Sequence, residues 1–255
     1  MILVVDIGNS HIVVGGAEKH QILFESRLRT NSAKTADEYA IDLKMLLEVY
    51  HRDASQVEGA IIASVVPQTL NAVRSAIKKL TGKNSLIVGP GIKTGLNIKI
   101  DNPAQTGADL VVGSVAALKL YQPPLIVVDM DTATTMSVLD EKGVLIGGAI
   151  CPGVRISLDA LTEHAALLPG IQLEPPKRVI GRNTTECMRS GILYGAAAML
   201  DGLIARMEAE LGQETTVVVT GRPGEIIAPL CQKAVHYEKN LTLQGLAWLY
   251  RENTK

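Results

Sequence analysis

Leu3-Val4-Val5-Asp6-Ile7-Gly8-Asn9-Ser10, near the start of the chain, is echoed in its middle by Ile126-Val127-Val128-Asp129-Met130-Asp131-Thr132-Ala133. Each stretch opens as a short apolar run rich in β-branched residues and reaches an aspartate. Each then passes through small or polar residues into a second β run, His11–Gly15 in one case and Thr132–Leu139 in the other. The echo predicts two homologous lobes, each opening with a strand–turn–strand hairpin. Their boundary is expected near Tyr121–Leu125, where Pro123-Pro124 breaks the preceding helix, giving lobes 1–122 and 123–255.

Outward from these hairpins, short buried strands alternate with helical patterns, as in α/β proteins. Gln21–Leu28, Ala60–Val65, Ser85–Val88, Val144–Ile150 and Thr216–Thr220 read as further strands. Thr35–Tyr50 reads as a helix that opens with a Thr35/Glu38 capping box and keeps Leu43, Leu46, Leu47 and Tyr50 on one face. Pro67–Leu80 repeats that pattern and stops at Gly82. Helices are also expected over Gly107–Tyr121, Pro152–Leu161, Thr184–Leu211, near Glu225 and over Leu241–Arg251, with Trp248 in the core. Leu168–Asn183, rich in Pro and Gly, reads as loop. The small residues of the long helix suit close packing, including packing at a dimer interface.

The 255 residues carry a net charge of -1, 20% charged residues and 47% hydrophobic ones, enough for a sizeable core. No basic stripe points to nucleic acid and no polybasic run to a membrane surface. The apolar run of Met1–Val5 is too short for a signal peptide and lacks a basic flank. No apolar stretch approaches the roughly 20 residues of a membrane span. Three well-separated cysteines, Cys151, Cys187 and Cys231, do not form a disulfide framework and suit a reducing, cytoplasmic setting. His11, His20, His51, His164 and His236 are scattered and read as structural or surface residues.

The two turns carry the chemistry. After Asp6, Gly8 lets backbone approach a ligand without a Cβ. Asn9 and Ser10 bring polar side chains, and successive backbone N–H groups can line an anion-binding concavity. Asp6 can hold a hydrated Mg²⁺, which takes one or two carboxylates together with phosphate oxygens. In the second turn Thr132, Thr134 and Thr135 offer hydroxyls for phosphate or metal. Val217-Val218-Val219-Thr220-Gly221 is a third strand-then-glycine turn, fit for the adenosine end. An ordinary hairpin explains either turn taken alone; three together point to a nucleotide.

At higher resolution the chain resembles the type III pantothenate kinases. The resemblance rests on Asp6-Ile7-Gly8-Asn9-Ser10, Gly107-Ala108-Asp109, Asp129 with Thr132-Ala133-Thr134-Thr135, and Gly147-Gly148-Ala149-Ile150-Cys151-Pro152-Gly153. It continues through Ile180-Gly181-Arg182-Asn183-Thr184, Ser190-Gly191 and Leu241-Thr242-Leu243-Gln244-Gly245-Leu246, in family order over the whole chain. It implies the fold of the acetate and sugar kinase, Hsp70 and actin superfamily: two actin-like (ribonuclease H-like) lobes, each a mixed five-stranded sheet flanked by helices, with a nucleotide cleft between them. It implies transfer of the ATP γ-phosphate to pantothenate, giving 4'-phosphopantothenate, the first step of coenzyme A biosynthesis, by a homodimer that uses Mg²⁺ and a monovalent cation, K⁺ or NH4⁺. By resemblance, Asp6, Ile7, Gly8, Asn9, Ser10, His11, Ile12 and Val13 form the first ATP phosphate loop, Asp6 reaching Mg²⁺ through water. Thr132 contacts ATP and Asp129 binds the monovalent cation. Asp109 is the catalytic base, within a substrate loop of Ile100, Gly107, Ala108, Asp109 and Leu110. Thr184 contacts pantothenate, from the same or the neighbouring subunit.

Four positions depart from the family pattern. Leu110 stands where Arg is usual, Ile100 where Tyr is usual, and Asp131 and Arg222 where Gly is usual. Three readings therefore remain at this point: a pantothenate kinase with an atypical pocket, a catalytically impaired paralogue with a binding or regulatory role, and a kinase of the same fold acting on another small alcohol.

Overall fold

The computed structural model describes residues 1–19 and 21–254, the side chain of Ala104 excepted, so His20 and Lys255 lie outside the described residues. The strands, in chain order, are β1 (Ile2–Ile7), β2 (His11–Glu18), β3 (Gln21–Arg29), β4 (Gly59–Ser64), β5 (Ser85–Ile87), β6 (Leu125–Met130), β7 (Ala133–Leu139), β8 (Leu145–Pro152), β9 (Thr216–Thr220) and β10 (His236–Tyr237). The helices are α1 (Ala36–Val49), α2 (Pro67–Thr81), α3 (Ala108–Leu120), α4 (Val154–His164), α5 (Thr184–Leu211), α6 (Gly224–Ile227) and α7 (Leu241–Glu252). Two compact units result. One is Met1–Gly95 with Ala104–Ala116 and Asn240–Lys255; the other is Leu96–Pro103 with Ala117–Lys239.

The first unit is built on a five-stranded sheet in the order β3-β2-β1-β4-β5. β1 runs antiparallel to β2 and parallel to β4, which itself runs parallel to β5. Alternation along β1 and β4 decides what each face meets. Leu3, Val5, Ile7, Ala60 and Ile62 join Tyr39, Leu43 and Leu47 of α1 and Val73 and Ile77 of α2 in one core. Val4 points the other way: a Cβ on Gly15 would stand 3.1 Å from Val4 Cγ2 and 3.0 Å from Leu243 Cδ1 of α7. β1 is thus covered on both faces, which is why it reads as an unbroken apolar run. Burying each such Ile, Val or Leu is worth about 1.5–3 kcal/mol. α1 begins at Thr35 with the expected capping box, and α2 ends at Gly82 in the left-handed region, φ 72°.

The second unit repeats the plan in the order β8-β7-β6-β9-β10, with β6 antiparallel to β7 and parallel to β9. Ile126, Val128 and Met130 of β6 and Val217 and Val219 of β9 pack with Val154 and Leu158 of α4, Met188, Leu193, Leu200 and Ile204 of α5, and Ile227 of α6. The long α5 starts at Asn183, whose Oδ1 accepts from Glu186 N–H at 2.9 Å, and stops at Gly212, φ 72°. The stretch before it carries no helix or strand between Ala165 and Asn183, as expected, and Ser190 Oγ ties it down by donating to the Val179 carbonyl.

Several readings shift. A boundary at 122/123 puts Leu241–Glu252 with the second lobe, whereas α7 packs in the first unit: Gly245 has no room for a Cβ beside the main chain of Val112 and Ala116 Cβ. The helix near Glu225 is a single four-residue turn, and β10 is a two-residue strand that no run of apolar residues announces. Trp248 is half-buried rather than core, and Tyr50 is 37% exposed although its ring stacks on Phe24 at 4.6 Å. Among the described residues, no helix is long and apolar enough to cross a membrane.

Candidate functional site

In the first unit, Asp6 occupies the last-but-one position of β1, between Val13 of β2 and Ala63 of β4, and is half-buried. The chain then turns through Gly8-Asn9-Ser10, with Gly8 N–H donating to the His11 carbonyl at 2.9 Å. Thr30, just past β3, clamps the turn. Its Oγ1 donates to the Gly8 carbonyl at 2.7 Å and its N–H to the Ser10 carbonyl at 3.1 Å. With two carbonyls engaged from behind, the exposed Asn9, Ser10 and His11 are held at the surface on a fixed support. Ile7, Ile12 and Val14 stay in the core, so of the expected loop Asp6–Val13 only part faces outward. Thr30 carried no signal in the sequence, because nothing in Arg29-Thr30-Asn31 marks a residue that reaches back 22 positions.

The start of α3 lies against the same edge of the first sheet. Val65 N–H donates to the Ile7 carbonyl at 3.1 Å, and a Cβ placed on Gly107 would stand 3.7 Å from Val65 Cγ1. Gly107 is thereby brought to the end of β1 and β4, and Asp109 follows in the first turn of α3. Asp109 Oδ1 is buried and occupies the space that a side chain on Gly107 would need. A carboxylate at this position is favoured by the helix dipole. Ala108 and Leu110 beside it are half-buried.

In the second unit, Asp129 sits as Asp6 does, between Thr135 of β7 and Thr220 of β9. The turn that follows is one residue shorter: Asp131 N–H donates to the Ala133 carbonyl at 3.0 Å. Two glycines press on it. A Cβ on Gly153 would collide with the Thr132 and Asp131 carbonyl oxygens, and one on Gly221 with the Met130 carbonyl. Gly221 also has φ +86°, a conformation that side-chain-bearing residues rarely adopt. Of the three threonines expected to offer hydroxyls, Thr132 and Thr135 are half-buried, but Thr134 is 1% exposed and points into the sheet's packed face. Period-two alternation makes that unavoidable once Thr135 faces outward.

The remaining expected residues lie elsewhere in the second unit. Ile100 follows a short extended stretch held on β8, where Lys99 N–H donates to the Leu145 carbonyl at 2.8 Å and Leu145 N–H to the Asn97 carbonyl at 2.9 Å. Thr184 is exposed on the first turn of α5. Two residues on, the Arg182 N–H bonded to Glu186 at 3.0 Å, with the Arg178 guanidinium behind it, holds the Glu186 carboxyl below the usual range. Among the described residues, no group of three or more His, Cys, Asp or Glu side chains is disposed to hold a metal ion. A carboxylate together with phosphate oxygens and water is a donor set that Mg²⁺ accepts.

Comparison with known proteins gives the family. A family model described as type III pantothenate kinase matches residues 2–206. The chain belongs to the type III pantothenate kinase family. A type III pantothenate kinase of Moorella thermoacetica is 42% identical over 254 residues, covering 100% of both chains. One from Exiguobacterium sp. is 42% identical over 255 residues, again covering 100% of both. Among solved structures, a Sinorhizobium meliloti protein assigned as a 2-dehydro-3-deoxygalactonokinase superposes with TM-score 0.62 at 14% identity, covering 100% of this chain and 99% of that one. The activator of 2-hydroxyisocaproyl-CoA dehydratase from Clostridium difficile, solved with ADPNP, gives 0.56 at 11% identity, covering 100% and 98%. At such identities these structures speak to fold alone, two five-stranded mixed sheets flanked by helices.

Proposed function

We propose that the chain transfers the γ-phosphate of ATP to the primary hydroxyl of pantothenate, giving 4'-phosphopantothenate for coenzyme A synthesis. Full-length likeness to type III pantothenate kinases supports the reaction. The observation that carries the chemistry is the seat of Asp109, on the helix start that Gly107 and Val65 draw to the Asp6–Ser10 turn. An alcohol is far too weak an acid for a carboxylate to deprotonate outright. In a loose phosphoryl-transfer transition state the proton leaves late, so Asp109 need only orient the hydroxyl and accept its proton as the bond to phosphorus forms.

In this reading Asp6–Val13 and Thr132 take the ATP phosphates, and Asp6 holds Mg²⁺ through water. When bound, Mg²⁺ would supply positive charge against the phosphates. Asp129 holds a monovalent cation, K⁺ or NH4⁺. Ile100, Gly107, Ala108, Leu110 and Thr184 line the pantothenate side, and the enzyme works as a cytoplasmic homodimer. An acceptor panel tests the substrate: coupled ADP release is expected to be faster with pantothenate than with alcohols of similar size that lack its carboxylate. A carboxylate-free alcohol outrunning pantothenate would reassign the acceptor.

A further inference from the structure

The two turns differ at one matched pair of positions. Aligning the sheets by their aspartates sets Asp6, paired with Ala63, against Asp129, paired with Thr220. Two residues beyond each aspartate stand Gly8 and Asp131. Two residues beyond each parallel partner stand Val65 and Arg222. In the first unit both positions are neutral; in the second they hold opposite charges. The register brings those charges out at adjoining strand ends. Gly221, lying against the Met130 carbonyl, keeps β6 and β9 in contact one step past their last paired residues. Asp131 is half-buried within the turn, whereas Arg222 is exposed at its flank, and among the described residues no ion pair joins the two.

An aspartate in a turn that receives phosphate oxygens repels them at short range. A guanidinium within reach reverses that local balance and can grip phosphate with two parallel N–H donors. We infer that Arg222 is the charge partner of Asp131: it supplies the positive charge that lets a phosphate settle on a turn carrying a carboxylate. This rests on the reading of the chain as an ATP-dependent kinase. The first turn, with Gly8 and Val65, requires no such partner.

A double-mutant cycle on the full chain tests it, with Mg-ATP affinity from calorimetry and KM for ATP and kcat from the pantothenate assay. Arg222→Ala should weaken ATP about tenfold or more with kcat within about threefold of wild type, and Arg222→Lys should recover most of the loss. Asp131→Ala should tighten ATP about two- to threefold, and the double variant should return to within about threefold of wild type. The loss in Arg222→Ala should shrink as salt rises. Losses that multiply in the double variant, or an unchanged ATP affinity in Arg222→Ala, would overturn the pairing. Calorimetry keeps this separate from the acceptor: wild type that binds ATP but ignores pantothenate would sink the proposed reaction and leave the charge pair to stand or fall on its own cycle.

Discussion

The turn after Asp6 and the turn after Asp129 are built on the same strands in the same order, yet they are held in opposite ways. The first is clamped from behind by hydrogen bonds: Thr30 engages two of its carbonyls. The second is one residue tighter and is hemmed by backbone, with Gly153 and Gly221 pressed so close that no Cβ fits. A side-chain clamp can be weakened by degrees, whereas backbone contact at a glycine tolerates almost no change. The two units share the aspartate at the strand end and differ in what supports the turn.

The largest effect is expected at Gly221. Alanine there meets the Met130 carbonyl and a φ of +86°, and should cost about 2–3 kcal/mol in denaturant unfolding. Ser64 holds the matching place in the first unit, where its Oγ donates to the Val66 carbonyl at 3.2 Å and accepts from Val66 N–H at 3.1 Å. Ser64→Ala should cost only about 1 kcal/mol. Equal losses would break the contrast between the turns.

A smaller effect is expected at the clamp. Thr30→Val keeps the shape and the backbone bond but removes the 2.7 Å hydrogen bond to the Gly8 carbonyl, for about 1 kcal/mol. KM for ATP should rise several-fold in steady-state assays while kcat changes less. An unchanged KM would mean that the first turn does not depend on Thr30.

The smallest concerns the approach to the second turn, and depends on pH. Glu208, on α5, accepts from Thr215 N–H at 2.7 Å and Thr215 Oγ1 at 3.0 Å, and pairs with Lys233 at 2.8 Å, just before β9 begins. Burial pushes its carboxyl up, but Lys233 and Thr215 outweigh it and the net shift is downward from 4.5. A depressed folded-state pKa gives stability that is present above the unfolded value and lost as pH falls through the folded one. Glu208→Gln should therefore cost about 1 kcal/mol at neutral pH and progressively less below about pH 4.5 in thermal melts. A penalty that grows on acidification would contradict the assignment.

What could be read from the sequence was local. Apolar runs ending in aspartate announced β1 and β6, because strands covered on both faces must be apolar throughout. Thr35 with Glu38 announced the start of α1 through a capping box that spans only four residues. What escaped was long-range. The return of α7 to the first unit depends on Gly245 meeting Val112 across more than a hundred residues, and the Thr30 clamp depends on a fold already made. β10 was too short to leave a pattern, and Thr134 looked like a ligand until strand alternation turned it inward. The motif residues Asp6, Asp109, Asp129, Thr132 and Thr184 were proposed by resemblance. Their surroundings, Val65 and Thr30 among them, required coordinates.

Phosphorus NMR of a reaction holding ATP, Mg²⁺, K⁺ and pantothenate tests the central claim most directly, with wild type and Asp109→Asn run in parallel. A phosphomonoester of pantothenate should grow in the wild-type sample at the rate ADP appears. Asp109→Asn should make it about 10²–10⁴-fold more slowly while still binding ATP by calorimetry. Release of ADP and inorganic phosphate with no phosphorylated pantothenate, or an Asp109→Asn variant as fast as wild type, would contradict the account.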